Sequence, residues 1–296
     1  MKLVIEQVEA GNSARFVRYC AQYGAEHDDS YLPVHDFSPS PSQPAYLLAS
    51  DGEVLGAVGL MRWERFLSLQ KARFSIFHSR LATQQAYAML FEAIRPHLRD
   101  LSSAYLFIPD SKRQTARILE QLGFEIERYS FVLINHQPEF KALGLLPGVE
   151  IKALRPGDAQ LIKGFADCLN DNFKHLAGHT VSTPETVSEW FSDALYLEDG
   201  MRMLFVDGKA AGTMSLTREY SDPAAAEISA LSVSSRQRGR GFGRMLLQSG
   251  VNFAVERGLE RVVLSVNADN RKALDLYRSA NFELEQTVVC YRYRGP

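Results

Sequence analysis

The chain has 296 residues, a length that suffices for two domains of ordinary size. Charged residues make up 23% and hydrophobic residues 46%, which is typical of a folded globular protein rather than a disordered one. The formal net charge of −2 argues against a protein that binds nucleic acid or an anionic membrane surface.

The cysteines and the hydropathy of the sequence indicate in which cellular environment we expect the protein. The three scattered cysteines, Cys20, Cys168 and Cys290, form neither a disulfide framework nor a zinc-binding pattern. We therefore expect a reducing, cytoplasmic environment and no metal site. Because Glu6 and Glu9 interrupt the N-terminal segment, we expect no signal peptide. No stretch approaches the roughly 18 uncharged apolar residues of a membrane helix, so we expect no membrane partner.

The first half of the chain predicts an order of elements that returns in the second half. A strand-like run, a glycine, a helix-like run and then a hairpin signal occur in each half. The hairpin signals are Asp51-Gly52 and Asp207-Gly208, each between apolar runs. Other corresponding positions are separated by nearly the same number of residues as the two hairpin signals. They are Gly56 with Gly212, Leu60 with Leu216, and Leu122–Phe124 with Ala280–Phe282. We interpret this as a tandem duplication, with chance matching as the alternative.

The two copies are predicted to join near residues 136–148. This stretch contains Pro138, Gly144, Pro147 and Gly148, which break helices and strands. The sequence therefore predicts domains at 1–140 and 148–296. Each is expected to be an α/β (α+β) domain, because strand-like and helix-like runs are mixed within it.

The second half gives the clearest succession of elements. Strands are predicted at 149–154, 201–206, 209–217, 226–234 and 261–266, followed by a last pair within 282–294. Helices are predicted at 157–170, 242–257 and 270–280, with a further helix possible within 171–197. A glycine-rich loop at 236–243 separates the fourth strand from the helix that follows it.

This loop has the composition of a pyrophosphate-binding turn. In Arg238-Gly239-Arg240-Gly241-Phe242-Gly243 the glycines permit close approach of a ligand, and the following helix offers unpaired N–H groups and a partial positive charge. Arg236 and Arg244 add further positive charge. The motif lacks the Gly-Lys-Ser/Thr ending of loops that bind nucleoside triphosphates. It also lies near the end of its domain, whereas the glycine motif of a dinucleotide-binding fold lies near the beginning. A solvated basic turn is the alternative.

The strand before the loop predicts a β-bulge. Apolar residues fall on even positions at Ile228 and Ala230, then on odd positions at Leu231 and Val233. A slip of one residue in a period of two is what a bulge produces. It would free backbone groups that an extended ligand could pair with. A strand buried on both faces would also explain the pattern.

These residues resemble the acetyl-CoA site of the GNAT N-acetyltransferase superfamily. The resemblance lies in Ala226-Glu227-Ile228, in Leu231-Ser232-Val233 and in Arg238-x-x-Gly241-x-Gly243, followed by Asn270-x-x-Ala273-x-x-x-Tyr277-x-x-x-x-Phe282. It implies two tandem GNAT-like domains, each with a mixed, mostly antiparallel central sheet flanked by helices. The cosubstrate it implies is acetyl-CoA, without a metal.

The resemblance also implies roles for individual residues. Backbone groups of Leu231, Ser232 and Val233 would pair with pantetheine, and Asn270 would contact the cofactor near that arm. Tyr277 would be the general acid that protonates the departing thiolate. The pyrophosphate would be held by backbone N–H groups of Arg238, Gly239, Arg240, Gly241, Phe242, Gly243 and Arg244.

The general base is less sharply defined. Glu227 matches the position of a catalytic glutamate in some members of the superfamily, whereas Ser265 stands where other members carry one. Glu227 as a solvated strand residue and Tyr277 as an ordinary core aromatic are the alternatives. His175 and His179 lie in a segment where acceptors would bind and are candidates for a base or a ligand.

The first half lacks the residues of this chemistry. Alignment places Gln84 and Ala86 at the positions of Gly241 and Gly243, and Lys112 and Leu119 at those of Asn270 and Tyr277. We therefore expect a degenerate N-terminal copy. The function expected of the chain is direct acetyl transfer to a small-molecule or peptide amine by a monomer or homodimer. The alternative is a non-catalytic acyl-CoA-binding sensor or assembly module.

Overall fold

The computed structural model describes residues 2–28, 30–33, 37–174, 181–220 and 222–295. The chain divides into two compact units: unit 1 is Met1–Ser130 with Gln286–Pro296, and unit 2 is Phe131–Glu285.

Unit 1 has a mixed sheet with helices against it. Its strands are β1 (Val4–Gln7), β2 (Ala45–Ser50), β3 (Glu53–Met61), β4 (Lys71–Ser79), β5 (Ser103–Pro109) and most of β12 (Glu283–Arg294), in that spatial order. Neighbouring strands are antiparallel except β4 and β5, which pair in parallel. The helices are α1 (Ser13–Tyr23), α2 (Glu64–Leu67), α3 (Gln84–Ile94) and α4 (Arg113–Gln121).

Unit 2 repeats this plan. Its strands, in spatial order, are the end of β6 (Phe124–Asn135), then β11 (Arg261–Asn267), β10 (Ala225–Val233), β9 (Lys209–Arg218), β8 (Arg202–Val206) and β7 (Val149–Ala153). In this unit β10 pairs in parallel with β11. The helices are α5 (Ala159–Phe173), α6 (Pro184–Glu189), α7 (Phe242–Glu256) and α8 (Arg271–Arg278). The expected fold class is confirmed.

The hairpins that suggested a duplication are present in both units. Asp51 and Gly52 have φ of +50° and +84°, and Asp207 and Gly208 have φ of +50° and +73°. Two consecutive positive φ values are those of a type I′ turn, which the Asp-Gly dipeptide favours. In each unit a parallel strand pair brackets one helix, α3 or α7, as the repeat requires.

The compact units do not coincide with the domains proposed from the sequence. β6 and β12 are each divided between the units, so residues 286–296 belong to unit 1 although they end the chain. In unit 1, Val288 to Arg294 pair antiparallel with β5. The boundaries at 1–140 and 148–296 stay a proposal about the ancestral copies.

The pair of strands expected within 282–294 is wrong. Glu283–Arg294 forms one continuous strand of 12 residues. The segment contains no glycine, proline, asparagine or aspartate to turn the chain, and β-branched and aromatic residues favour extension through it. Apart from this, the predicted elements of the second half match within a few residues. Among the described residues, no helix combines the length and apolar character that crossing a membrane requires.

Candidate active site

Strand β10 carries a β-bulge where its pairing with β9 shifts. Ser229 pairs with Ser215 and Ser232 pairs with Thr213, so β10 uses one more residue than β9 over this interval. Ala230, within the bulge, has a φ of +51°. The left-handed conformation costs an L-residue roughly 1–2 kcal/mol, which the surrounding pairing must offset. The bulge predicted from the phase slip is confirmed.

The bulge keeps apolar side chains on one face of the sheet. Ala226 and Ile228 belong to the buried cluster that includes α7, and Leu231 and Val233 pack against the same cluster. Ala230 packs instead against the cluster formed by α5. Strict alternation would have sent Leu231 and Ile228 to opposite faces, so the extra residue preserves the core contacts of the strand.

At the bulge, β10 also separates from its parallel neighbour. Pairing with β11 ends at Ile228 with Leu264, although the strands continue to Val233 and Asn267. Strand edges that part in this way present N–H and C=O groups to the opening. An extended ligand with its own amide groups can pair with such edges as an added strand would.

Two glycines shape the turn from β10 into α7. Gly239 and Gly241 have φ of +79° and +83°, and Gly241 is the N-cap of the helix. A Cβ at either position would meet open space, so glycine is required by the left-handed backbone rather than by crowding within the protein. Any helix start carries N–H groups without intrahelical partners and a partial positive charge, and these two features favour phosphate groups as ligands.

The arginines around this turn are exposed. The hydrogen bonds described below do not neutralise their positive charge, because the acceptors are uncharged. Three of them donate to neutral acceptors: Arg238 Nε to Val233 O at 3.1 Å, Arg240 Nη1 to Gln237 Oε1 at 2.5 Å, and Arg244 Nη2 to Ser279 Oγ at 3.0 Å. The guanidinium groups are thereby oriented around the turn while remaining available to an anion.

The first turn of α7 lies between the end of β10 and α8. A methyl group at Gly243 would be 3.4 Å from Leu276 Cδ2 and 3.9 Å from Val233 Cγ2. Tyr277 belongs to the same buried cluster as Phe242. The structure thus brings together the bulged strand, the glycine turn and the helix that carries Tyr277, as the sequence motifs require.

Tyr277 is 7% exposed, and its ring centroid lies 6.2 Å from that of Phe282. Burial raises the pKa of the Tyr277 hydroxyl to about 12. The phenol is therefore protonated throughout the neutral range. It can donate a proton or a hydrogen bond to an anion that develops beside it.

Asn270 is the N-cap of α8 rather than a residue within the helix. Its side chain accepts a hydrogen bond from the Ala273 N–H at 3.3 Å. Because Asn270 has a non-helical ψ of 65°, the seven-residue spacing from Asn270 to Tyr277 does not place the two side chains on one helical face. A contact with a ligand would involve the Nδ2 amide group, since Oδ1 caps the helix.

Glu227 is half-buried in the paired part of β10. It lies opposite Thr217 on β9 and Val263 on β11. Because Ile228 faces the cluster of α7, alternation places Glu227 on the α5 face of the sheet. Glu227 and Tyr277 therefore approach from different faces, and the opening between β10 and β11 lies between those faces.

Other sequence candidates have less structural support. Ser265, at the alternative base position on β11, is exposed and has no acid–base capacity. His175 and His179 lie outside the described residues.

The cysteines offer no activated thiol. Burial raises the pKa of Cys168 to about 11 and of Cys290 to about 12, and it also raises the pKa of Cys20. Each thiol is therefore protonated near neutrality and is a weak nucleophile.

The equivalent region of unit 1 is built differently. At the start of α3 the cap is Thr83, whose Oγ1 accepts from the Ala86 N–H at 3.3 Å. Thr83, rather than Gln84, is thus the counterpart of Gly241, because the helices begin one residue out of step with the sequence alignment. The alignment of Lys112 with Asn270 holds, since both are N-caps. This side-chain cap occupies one of the N–H groups that a phosphate would need, that of Ala86.

The opening between β4 and β5 in unit 1 is lined by an ionic network from the segment after α1. β4 and β5 pair as far as Arg73 with Tyr105. Arg73 forms an ion pair with Asp28, and Lys112 Nζ lies 2.7 Å from Glu26 Oε2. These side chains hold residues 26–28 against the diverging strand and the start of α4.

Sequence reasoning missed two polar residues next to the bulge. Thr213 is fully buried on β9, and Asn172 lies near the end of α5. A signal for Thr213 exists, since Thr213, Ser215 and Thr217 alternate through an otherwise apolar strand. Buried hydroxyls need hydrogen-bond partners, so such a row points to a polar contact inside the sheet. Nothing in the sequence distinguishes Asn172 from other helix asparagines.

Comparison with known proteins agrees with this geometry. Residues 165–282 match the acetyltransferase (GNAT) family. The curated relatives include mycothiol acetyltransferases of Kocuria rhizophila, 43% identical over 24% of this chain and 23% of the relative, and of Rhodococcus jostii, 30% identical over 37% and 38%. That of Paenarthrobacter aurescens is 26% identical over 56% of this chain and 52% of the relative. The matches thus span about a quarter to a half of these relatives.

Solved structures of the same fold align with nearly the whole chain. A GCN5-related N-acetyltransferase from Sphaerobacter thermophilus is 18% identical with a TM-score of 0.70, covering 99% of this chain and 95% of that one. A tandem GNAT protein from the clavulanic acid biosynthesis pathway is 14% identical with a TM-score of 0.72, covering 100% and 99%. At these identities the likeness concerns the fold, which is a tandem one.

Proposed function

We propose that this chain, which belongs to the acetyltransferase (GNAT) family through its residues 165–282, transfers an acetyl group from acetyl-CoA to a primary amine in a ternary complex on unit 2. The observation that carries the proposal is the meeting of three features: the opening between β10 and β11, the glycine turn, and the start of α7. Pantetheine would lie in the opening, and the pyrophosphate would lie on the turn among the arginines.

The reaction follows from the chemistry of the groups at hand. The neutral amine attacks the thioester carbonyl, the C–N bond forms, and the C–S bond breaks. Glu227 would take the proton that the amine loses, directly or through water, and Tyr277 would give its proton to the leaving thiolate. A phenol whose pKa is about 12 holds its proton until negative charge develops on the sulfur.

Direct transfer is favoured over an acyl-enzyme. A covalent carrier would need a thiolate near the bound thioester. Cys168, the nearest candidate through its contact with Asn172 at 3.5 Å, has a pKa raised by burial and is therefore a protonated thiol near neutrality.

An amine screen tests the proposal. The full chain is mixed with acetyl-CoA and, one at a time, polyamines, aminoglycosides, amino acids and peptides with free N-termini, while thiol release is followed. We expect amine-dependent thiol release with at least one class, and mass spectrometry should find the product 42 Da heavier, which is the mass that any acetylation adds. The same rate of thiol release with and without every amine would contradict the proposal.

A second candidate function is an acyl-CoA-binding sensor without catalysis. The exposed Ser265 favours it, because this position lacks the carboxylate of other family members. Saturable acetyl-CoA binding without turnover of any amine would select it. The buried Tyr277 beside the bulged strand favours the enzyme instead, because a sensor has no need of an acid there.

A further inference from the structure

A chain of side-chain hydrogen bonds runs from α5 into the bulge of β10. Asn172 Nδ2 lies 2.9 Å from Ser232 Oγ, Ser232 Oγ lies 2.7 Å from Thr213 Oγ1, and Thr213 Oγ1 lies 2.9 Å from the Ala230 carbonyl oxygen. Thr213 is completely buried.

The direction of each hydrogen bond in this chain is fixed by its two ends. A carbonyl oxygen only accepts, so the Thr213 hydroxyl must donate its one proton to Ala230. Thr213 Oγ1 can then only accept from Ser232, and Ser232 in turn accepts from the Asn172 amide. With every proton assigned, the network has a single arrangement and holds the Ala230 carbonyl in one orientation.

The orientation of this carbonyl sets that of the next N–H group. Within a planar trans peptide, the C=O of Ala230 and the N–H of Leu231 point in opposite directions. Thr213 lies on β9, so the Leu231 N–H points away from β9 and toward the side of β10 where β11 separates. Thr213 thereby aims one backbone donor into the opening.

The neighbouring residue Gly212 brings the two strands close enough for this contact. A Cβ at Gly212 would lie 2.6 Å from the Ser232 carbonyl oxygen, so no larger residue leaves the strands in their present positions. The left-handed φ of Ala230 is unfavourable for alanine, and the hydrogen bond from Thr213 to its carbonyl, which is partly buried, stabilises it.

We propose that Thr213 is a positioning residue for acetyl transfer, acting through the Ala230–Leu231 peptide to direct the Leu231 N–H at the acetyl carbonyl of the bound thioester. Ser232 and Asn172 support it by fixing the Thr213 hydroxyl. The proposal rests on the proposed function, since it presumes that the thioester lies in the opening between β10 and β11.

The test compares Thr213→Val, Thr213→Ser and Ser232→Ala in the full chain. The affinities for acetyl-CoA and for free CoA are measured by calorimetry, and kcat/KM is measured with an amine from the screen. Free CoA has no acetyl carbonyl, so the ratio of the two affinities reports the Leu231 N–H, whereas a general loss of structure would weaken both ligands alike.

For Thr213→Val we expect acetyl-CoA to lose at least about fivefold more affinity than CoA, and kcat/KM to fall about 10- to 100-fold, somewhat less than removal of a whole oxyanion donor. Thr213→Ser keeps the hydroxyl and should stay within about threefold of the unmodified protein. Ser232→Ala should lie between them. Ser215→Ala, a buried hydroxyl that pairs with β10 before the bulge, is the matched control and should leave the affinity ratio unchanged.

Equal affinity ratios and kcat/KM within threefold for Thr213→Val and the unmodified protein would overturn the positioning role while leaving the proposed function intact. Failure of the unmodified protein to bind acetyl-CoA would overturn both. If Thr213→Val does not fold, Thr213→Cys, which donates only weakly, gives the same readout.

Discussion

At the scale of single residues, the site depends on how burial sets the state of Tyr277. The hydroxyl sits in a cluster of apolar side chains, and the pKa is raised because the charged phenolate would lose its hydration there. We expect Tyr277→Phe to lower turnover about 10²- to 10⁴-fold and to leave the affinity for acetyl-CoA almost unchanged, as removal of a general acid does.

The matched control for this substitution is Tyr291→Phe. Tyr291 is also buried and also has a pKa raised to about 12, but it belongs to unit 1. It should retain full turnover in the thiol-release assay. A Tyr277→Phe protein that turns over within threefold of the unmodified protein would show that another acid or water protonates the thiolate.

The same burial predicts a loss of stability at alkaline pH. The unfolded chain ionises Tyr277 near pH 10 and the folded protein only near pH 12. Stability is therefore complete below pH 10 and falls as the pH rises toward 12, by at most about 2.7 kcal/mol for this group. Denaturant unfolding should show Tyr277→Phe losing less stability than the unmodified protein between pH 9 and pH 12. Parallel losses in the two proteins would contradict the assigned pKa.

Glu227 is tested through the pH dependence of the reaction. Most of an amine is protonated at lower pH, so assistance in removing its proton matters most there. We expect Glu227→Gln to depress kcat/KM chiefly on the acidic side of the profile. The control is Glu260→Gln, since that residue directly precedes β11 and its side chain is 71% exposed. A profile superimposable on that of the unmodified protein would remove Glu227 from the mechanism.

At the scale of elements, the turn between β10 and α7 must keep both its left-handed glycines and the open space beside them. We expect Gly241→Glu to abolish acetyl-CoA binding, because a carboxylate would project into the open space where we propose that the pyrophosphate binds. The control is Gly258→Glu at the other end of α7, where φ is +71° and the space is equally open. Both variants carry the same backbone strain, so the strain cancels in the comparison.

Thermal unfolding with and without acetyl-CoA measures how much the ligand stabilises Gly241→Glu and Gly258→Glu. At a hundredfold excess over the dissociation constant, the ligand should stabilise the unmodified protein and Gly258→Glu by about 2.7 kcal/mol each. Gly241→Glu should show no shift. NAD and ATP should stabilise none of the three proteins, and an equal shift with NAD would contradict the CoA assignment.

Local patterns predicted the elements well where one principle dominated. The alternation of apolar residues changes from even to odd positions between Ala230 and Leu231, and this change predicted the bulge. Glycine before an amphipathic run predicted the start of α7. The single strand β12 was misread as two, although its segment offers no residue that would turn the chain. The row of alternating hydroxyls signals a polar contact at Thr213, but its partner Ala230 lies on another strand and cannot be read from the local pattern.

At the scale of the whole chain, the repeat was visible in the sequence because hairpin turns keep their Asp-Gly dipeptides while other positions drift. The division of β6 and β12 between the units was not visible. Which strand completes which sheet is decided by pairing between segments more than a hundred residues apart, as between β5 and β12. The absence of a phosphate site from unit 1 stays a prediction from the alignment, and the side-chain cap at Thr83 is consistent with it.

The central claim is that acetyl-CoA binds only to unit 2, and the stoichiometry of binding tests it most directly. Unit 1 has an internally capped helix and a segment ion-paired into its strand opening, so two changes oppose a second site. Losing two or three charge-assisted N–H bonds at about 1.5–3 kcal/mol each weakens phosphate binding by orders of magnitude. Calorimetric titration of the full chain with acetyl-CoA should give one molecule per chain. Two molecules per chain, or one that remains in Gly241→Glu, would contradict the account.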